Sequence, residues 1–408
     1  MKKSFVFTLG LVVACSMALS KPCSAAFTIG GENGWQLSTD GIVDVFSYYH
    51  STQPAPAGHT GSLLDNSSST AYNQRFGVGV GLLPSVVAFN IKAPTTNGID
   101  STVRVGIYPS IQNQNDTRFN VGPNIDFREI FYTAKGAYGE LLAGRALNLY
   151  QGKNILTDMT LLTSGVVGSR GNTVNLGHIA TGYLYTGFGP QLRYTTPDMG
   201  GVKLAIEVAE PYAITADTAK TPSPRVETEI SFAKTFGSTA VQAWASGLYQ
   251  TATRIDAHGT MRAGGQDESI GGAYGVGATF SGLSLLGSGY GGRGLGMLSV
   301  QDGGVLGDSQ DASGRTRLFW GFLVQATYKL TPSIMLGVNY GQSRLELNSG
   351  ETSGGTVMKN QEAAVTTVTY NLNKFTQFIA EYTYAQNTWQ DSKKQHSNQF
   401  ALGTMFYW

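Results

Sequence analysis

Side chains able to do chemistry are few in this chain of 408 residues, and they are spread out. The five histidines, His50, His59, His178, His258 and His396, stand far apart. None has the H-E-x-x-H spacing that would put two imidazoles on one helix face around zinc. No G-x-S-x-G turn presents a nucleophilic serine. Gly289-x-Gly291-x-x-Gly294 matches the letters of a dinucleotide fingerprint, but no helical periodicity follows, and among 53 glycines such a match is commonplace. Asp302, Asp308 and Asp311 share one segment and carry oxygens suited to calcium, although solvated loop acids explain them more simply. The sequence predicts no catalytic residue, no metal site and no cofactor.

What remains is cationic chemistry in an alternating pattern. Arg75 in NQRFGV stands opposite Phe76 and Val78, Arg128 in DFREIF opposite Phe127 and Phe131, and Arg193 in QLRYTT opposite Leu192 and Tyr194. A charge facing lipid at mid-depth costs about 2–4 kcal/mol, so if such strands meet a membrane these arginines belong on the other face. Arg104 in VRVGI and Lys92 follow the same rule, with Asp40, Asp44, Glu207 and Glu381 as acids able to pair with them. Arg145 and Glu129 fall on the outward parity, where a contact between subunits suits a charge better than lipid does.

The elements that must position these groups are strands. With 53 glycines, 20 tyrosines and 19 phenylalanines, and no long helical stripe after the first twenty residues, the chain is β-rich. Charged residues make up 13%, about half of the ~25% usual in soluble domains. A mean hydropathy of −0.09 is too polar for a bundle of membrane helices. At the N-terminus, MKK, the apolar run FVFTLGLVVACSMAL and the small residues of KPCSAAF predict a cleaved signal peptide over residues 1–26. Cleavage removes both cysteines, Cys15 and Cys23, and also Lys2, Lys3 and Lys21, so the formal charge falls from +1 to −2. That balance excludes the strong basic excess of a nucleic-acid binder. An exported chain without a membrane helix enters a membrane only as a closed barrel.

Residues 27–408 divide accordingly into about sixteen strands, from Trp35–Tyr49 to 397–408. Brief turns such as KGAYG, TPDMGG, LTPS and NLNK alternate with long Gly- and Ser-rich connections, the rhythm of short periplasmic turns and extended outer loops. Between Arg75 and Ile91 the apolar parity switches at Leu83-Pro84, which predicts a bulge. Trp35, Tyr328, Tyr370 and Trp408 are expected in one interfacial girdle. The last strand must pair with the first, which makes Phe406 and the terminal Trp408 the expected assembly signal. One connection, 151–188, is both too long and too apolar for an idle loop, since Ile155, Leu156, Met159, Leu161, Leu162, Val166 and Val167 need a wall to pack on.

FREIFYTAKGAYGELLAGR, the long connection after it, and LRYTTPDMGGVKLAIEV resemble the Gram-negative general porin family. The resemblance implies a sixteen-stranded outer-membrane barrel, a homotrimer, and a third loop folded into the lumen opposite a row of wall arginines. On these residues the pore constriction is expected to comprise Arg75, Arg128 and Arg193, with Arg104, Lys153 and Asp158. The final Trp408 stands where the family usually has Phe, and the loop lacks the family's acidic PEFGGD-like stretch. The implied function is passive diffusion of small hydrophilic solutes and ions, with a weak anion preference. A channel selective for small organic acids is the alternative, and a catalytic or purely structural barrel stands behind both. Outer-membrane lipid and the outer-membrane assembly machinery are the implied partners.

Overall fold

The computed structural model describes residues 27–59, 62–64, 70–111, 125–167, 175–298, 309–351 and 355–408. The expected signal peptide lies outside the described residues, as do Asp302 and Asp308.

Period-two alternation gives each segment one apolar and one mixed face, and pairing satisfies every backbone group only if the sheet closes on itself. In chain order the wall strands are Gln36–Thr52, the broken pair Asn73–Gly79 and Val86–Lys92, Asp100–Pro109, Ile125–Gly136, Gly139–Leu147, Phe188–Thr195, Val202–Ala209, Arg225–Phe236, Thr239–Arg254, Gln266–Phe280, Leu283–Arg293, Leu318–Lys329, Ile334–Glu346, Met358–Asn371, Thr376–Trp389 and Lys394–Tyr407. Each pairs antiparallel with its sequence neighbours, and the last returns to the first with Ile42 opposite Tyr407 and Thr52 opposite Ser397. With the broken pair counted once, this is a closed antiparallel barrel of 16 strands. Two short segments were not anticipated: Phe27–Gly30 adds to the start of Gln36–Thr52, and Thr218–Ala219 adds to the end of Thr239–Arg254.

The two faces separate as the alternation requires. On Leu318–Lys329, Val324 and Tyr328 are exposed, whereas Phe319, Leu323 and Thr327 point inward and are buried. At the closure, Phe400, Leu402 and Phe406 are exposed and Tyr407 is buried. Trp408 exchanges backbone hydrogen bonds with Gly41 at 3.1 and 3.2 Å. Its ring occupies the space where any side chain on residue 41 would go.

The parity switch around Pro84 is a break in the wall. Asn73–Gly79 pairs with the upper half of Gln36–Thr52 and Val86–Lys92 with its lower half, and the intervening residues turn inward. Exposed residues change from Phe76 and Val78 to Phe89 and Ile91 across the break. Val80, on the same parity as Phe76 and Val78, is buried in the turned-in segment. A second switch was not anticipated. Gly106 faces Glu129 but Ile107 faces Phe127, so Arg128 is bulged out of the ladder. This corrects two parities. Glu129 points inward, 5% exposed, and Phe131 shares its side rather than that of Phe127.

Inside the barrel lies an apolar core. Tyr150, Ile155, Leu161, Ile179, Tyr183 and Leu184 of the long connection pack against the inward Leu248, Tyr290, Phe319, Leu323 and Leu345. At about 25 cal/mol per Å² of apolar surface removed from water, a cluster of this size holds a loop that has no fold of its own.

Candidate functional site

The long connection joins Gly139–Leu147 to Phe188–Thr195 and includes a short helix, Gly152–Thr157, followed by the 3-10 turn Met159–Leu162. Gln151 enters the helix in the left-handed region, φ 61°, and its side-chain oxygen accepts from the Leu184 N–H at 2.7 Å, tying the outgoing limb to the returning one. Inward side chains of the wall hold the segment at several points. Glu227 accepts from the Tyr150 N–H at 2.7 Å, and Trp244 donates to the Asn154 side chain at 3.1 Å. Gln325 accepts from the Met159 N–H at 2.6 Å and donates to the Thr157 carbonyl at 3.3 Å. Glu381 accepts from the Gly165 N–H at 2.6 Å, and Gln399 donates to the Gly165 carbonyl at 2.8 Å.

The turned-in break supplies the opposite support. Leu82 and Leu83 donate their N–H groups to the carbonyls of Thr163 and Leu161 at 3.0 and 3.2 Å. Asp44 holds this break in place, accepting from the Gly81 N–H and from the Ser85 hydroxyl, the latter at 3.0 Å. Of the apolar loop residues that needed a wall, Ile155, Leu161, Val166 and Val167 are buried, while Leu156, Met159 and Leu162 keep a partly exposed edge.

Asp158 is 1% exposed and caps the 3-10 turn through the Thr160 N–H at 2.9 Å. Its carboxylate also accepts from the Thr160 hydroxyl, from the Tyr183 hydroxyl at 2.7 Å and from the Asn339 amide at 3.2 Å. That geometry makes it a rivet between loop and wall. Lys153, partly exposed on the helix, lies close enough to Glu229 to act on it electrostatically.

The arginines occur in separate clusters. Arg104, 3% exposed, donates from Nε to Glu129 at 2.8 Å and from Nη1 to Asp40 at 2.9 Å and Asn90 at 3.1 Å. Glu129 accepts in addition from the Tyr108 hydroxyl at 2.8 Å. Arg193 stands 3.9 Å from Glu207 and donates to the Leu147 carbonyl at 3.2 Å. Arg128, freed by the bulge, donates to Asp126 at 2.7 Å and lies over the rings of Tyr108 and Phe188 at 5.5 and 5.9 Å. Arg75 is opposite His50, near the end of Gln36–Thr52 that leads into the long connection at 53–72. Lys92 sits 3.6 Å from Asp100 at the other end.

A further pair is not among the charges named from the sequence. Arg225 is 3.0 Å from Glu227 and stacks on Tyr212 at 4.2 Å. The signal was available, since Arg225, Glu227 and Glu229 alternate with Val226, Thr228 and Ile230 as the other wall charges do. His178 is fully buried, with one ring nitrogen 2.8 Å from the Asn339 carbonyl oxygen and the other 3.1 Å from the Thr181 carbonyl. Asp311 is engaged by Arg315 and Asn348, and among the described residues no group of three acidic, histidine or cysteine side chains could hold a metal ion.

Among solved structures, the fold is similar to the outer membrane channel DcaP of Acinetobacter baumannii, with a TM-score of 0.65 at 14% identity over 94% of this chain and 100% of that one. It is also similar to Salmonella typhi OmpF in complex with daunomycin, 0.56 at 13% over 94% and 100%. The trimer form of OmpT from Vibrio cholerae gives 0.52 at 13% over 92% and 100%. No curated protein matches the sequence. The sequence itself matches the Gram-negative porin family from residue 8 to residue 390. With nearly its whole length inside that match and a closed sixteen-stranded barrel around it, the chain belongs to the Gram-negative porin family and resides in the outer membrane.

Proposed function

We propose that this porin is a homotrimeric, water-filled channel for passive diffusion of small hydrophilic solutes, and not an enzyme, with the connection between Leu147 and Phe188 as its constriction. The observation that carries the reading is the loop's attachment. It is bonded to inward side chains from Arg225–Phe236 round to Lys394–Tyr407, and the partly exposed edge of Lys153, Leu156, Met159 and Leu162 is left for whatever passes. Trimeric assembly draws support from the trimer form of the similar OmpT and from the exposed outward Arg145; Glu129, turned inward, no longer contributes.

Selectivity is expected to be weak. Arg75, Arg128 and Arg193 counted as bare charges imply an anion preference. Arg104, Arg128 and Arg193 each have a carboxylate within ion-pair distance, so their fields largely cancel beyond the ~8–10 Å screening length of physiological salt. A small residual anion preference is what we assign. Reconstitution into planar bilayers tests the reading: stepwise conductance with a small zero-current potential in a salt gradient is expected. A protein that inserts without conducting, or that is strongly cation-selective, would overturn it.

A further inference from the structure

Seven consecutive wall strands, from Thr239–Arg254 to Thr376–Trp389, form a concave wall beneath the loop, enclosing about 820 Å³ when the space open to the lumen is included. Its chemistry differs from that of the arginine clusters. The wall contributes Gln242, Thr327, Thr367 and Thr369, none engaged in a side-chain hydrogen bond among the described residues, and the loop contributes Met159 and Leu162. Asp158 is the one ionisable residue lining it among the described residues, and its oxygens are taken by Thr160, Tyr183 and Asn339.

We propose that this wall is a binding subsite for an uncharged, polyhydroxylated solute the size of a single sugar ring. An anion entering here would shed water with no cationic side chain among the lining residues, and a cation would meet only Asp158, whose oxygens already accept from Thr160, Tyr183 and Asn339. A polyol exchanges its water for hydroxyl and amide partners of equal quality and lays its C–H face on the thioether and isobutyl groups of Met159 and Leu162. Gln325 keeps that apolar ledge in register with the wall, because its one amide holds both Met159 and Thr157. The proposal deepens the channel reading and rests on it for the route by which solute arrives, but binding itself requires no current.

The test is calorimetry on the detergent-purified full chain, titrated in parallel with D-glucose and sodium gluconate. A saturable heat in the millimolar range is expected for glucose, with gluconate clearly weaker. Thr367→Val combined with Thr369→Val, isosteric changes that suit a strand, should weaken glucose binding by about tenfold, whereas Thr367→Ser with Thr369→Ser should retain it. No saturable heat, equal binding of gluconate, or a valine variant that binds as wild type would each overturn the subsite. Such a failure leaves bilayer conductance untouched. Glucose binding by a protein that passes no current would sink the channel reading instead.

Discussion

Arg104 shows how a lone charge in the sequence becomes, in the fold, a cation held between two carboxylates. Replacing it with Met leaves Asp40 and Glu129 facing each other without their cation, and breaking a buried pair from one side costs about 3–5 kcal/mol. Arg104→Met should therefore lower the unfolding temperature and move the zero-current potential toward cations; an unmoved potential would place the cluster outside the ion path. Asp158 leads to the opposite expectation. Read in the sequence as a pore charge, its removal would shift selectivity, but the carboxylate is buried among four donors. For Asp158→Asn we expect little change in zero-current potential and a rise in open-channel noise, because an amide presents N–H to groups that themselves donate. A clear anionic shift with quiet channels would return Asp158 to the pore lining.

At the scale of elements, connections are held by carboxylates that collect backbone and side-chain donors. Outside the wall, Asp311 accepts from the N–H groups of Ser313 and Arg315, from the Arg315 guanidinium and from the Asn348 amide. Burial pushes its pKa up, but these donors outweigh it and hold the carboxyl below the usual carboxylate value. A depressed folded-state pKa stabilises the connection above the unfolded value of about 3.9 and loses that contribution as pH falls through the lower folded value. Hydrogen exchange over residues 309–317 and 346–351 should therefore stay slow from pH 7 to about 4 and accelerate below it, after correction for intrinsic rates. Asp311→Asn should already exchange fast at pH 7, and identical profiles for both proteins would refute the assignment. The rhythm of strands and turns was legible in the sequence because alternation has one cause, lipid on one side and water on the other. The bulge at Arg128 was not, because it depends on the neighbouring strand as much as on its own residues.

For the whole molecule, closure and assembly are the testable properties. Trp408 completes the barrel by bonding Gly41, and a Cβ on residue 41 would come within 2.2 Å of the Trp408 ring and 2.4 Å of the Val86 carbonyl oxygen. Deleting Trp408 should reduce outer-membrane insertion while synthesis and export continue, and Gly41→Leu should reproduce part of that defect. Surface levels equal to wild type in both variants would show that neither the terminal ring nor its seat matters for assembly. A trimer that withstands detergent and mild heat is expected by unboiled gel mobility and by light scattering. A monomer by both methods would defeat the assembly proposal and leave the fold unaffected.

The sequence by itself determined the class of architecture. Period-two alternation, the long and short connections, the apolar third loop and the aromatic terminus are one-dimensional signals, each tied to a membrane that strands cross alone. It also identified which charges face inward wherever a strand runs regularly, as at Arg104 and Arg193. Only the tertiary structure decided what those charges do, because pairing joins residues as distant as Asp40 and Arg104 or Arg193 and Glu207 across neighbouring strands. It also decided where the loop goes, since the hold on Gly165 comes from Glu381 and Gln399, more than two hundred residues away along the chain. The physical reason is that burial follows from a residue's own chemistry, whereas electrostatic cancellation and cavity shape depend on which partners a closed barrel brings within a few ångströms.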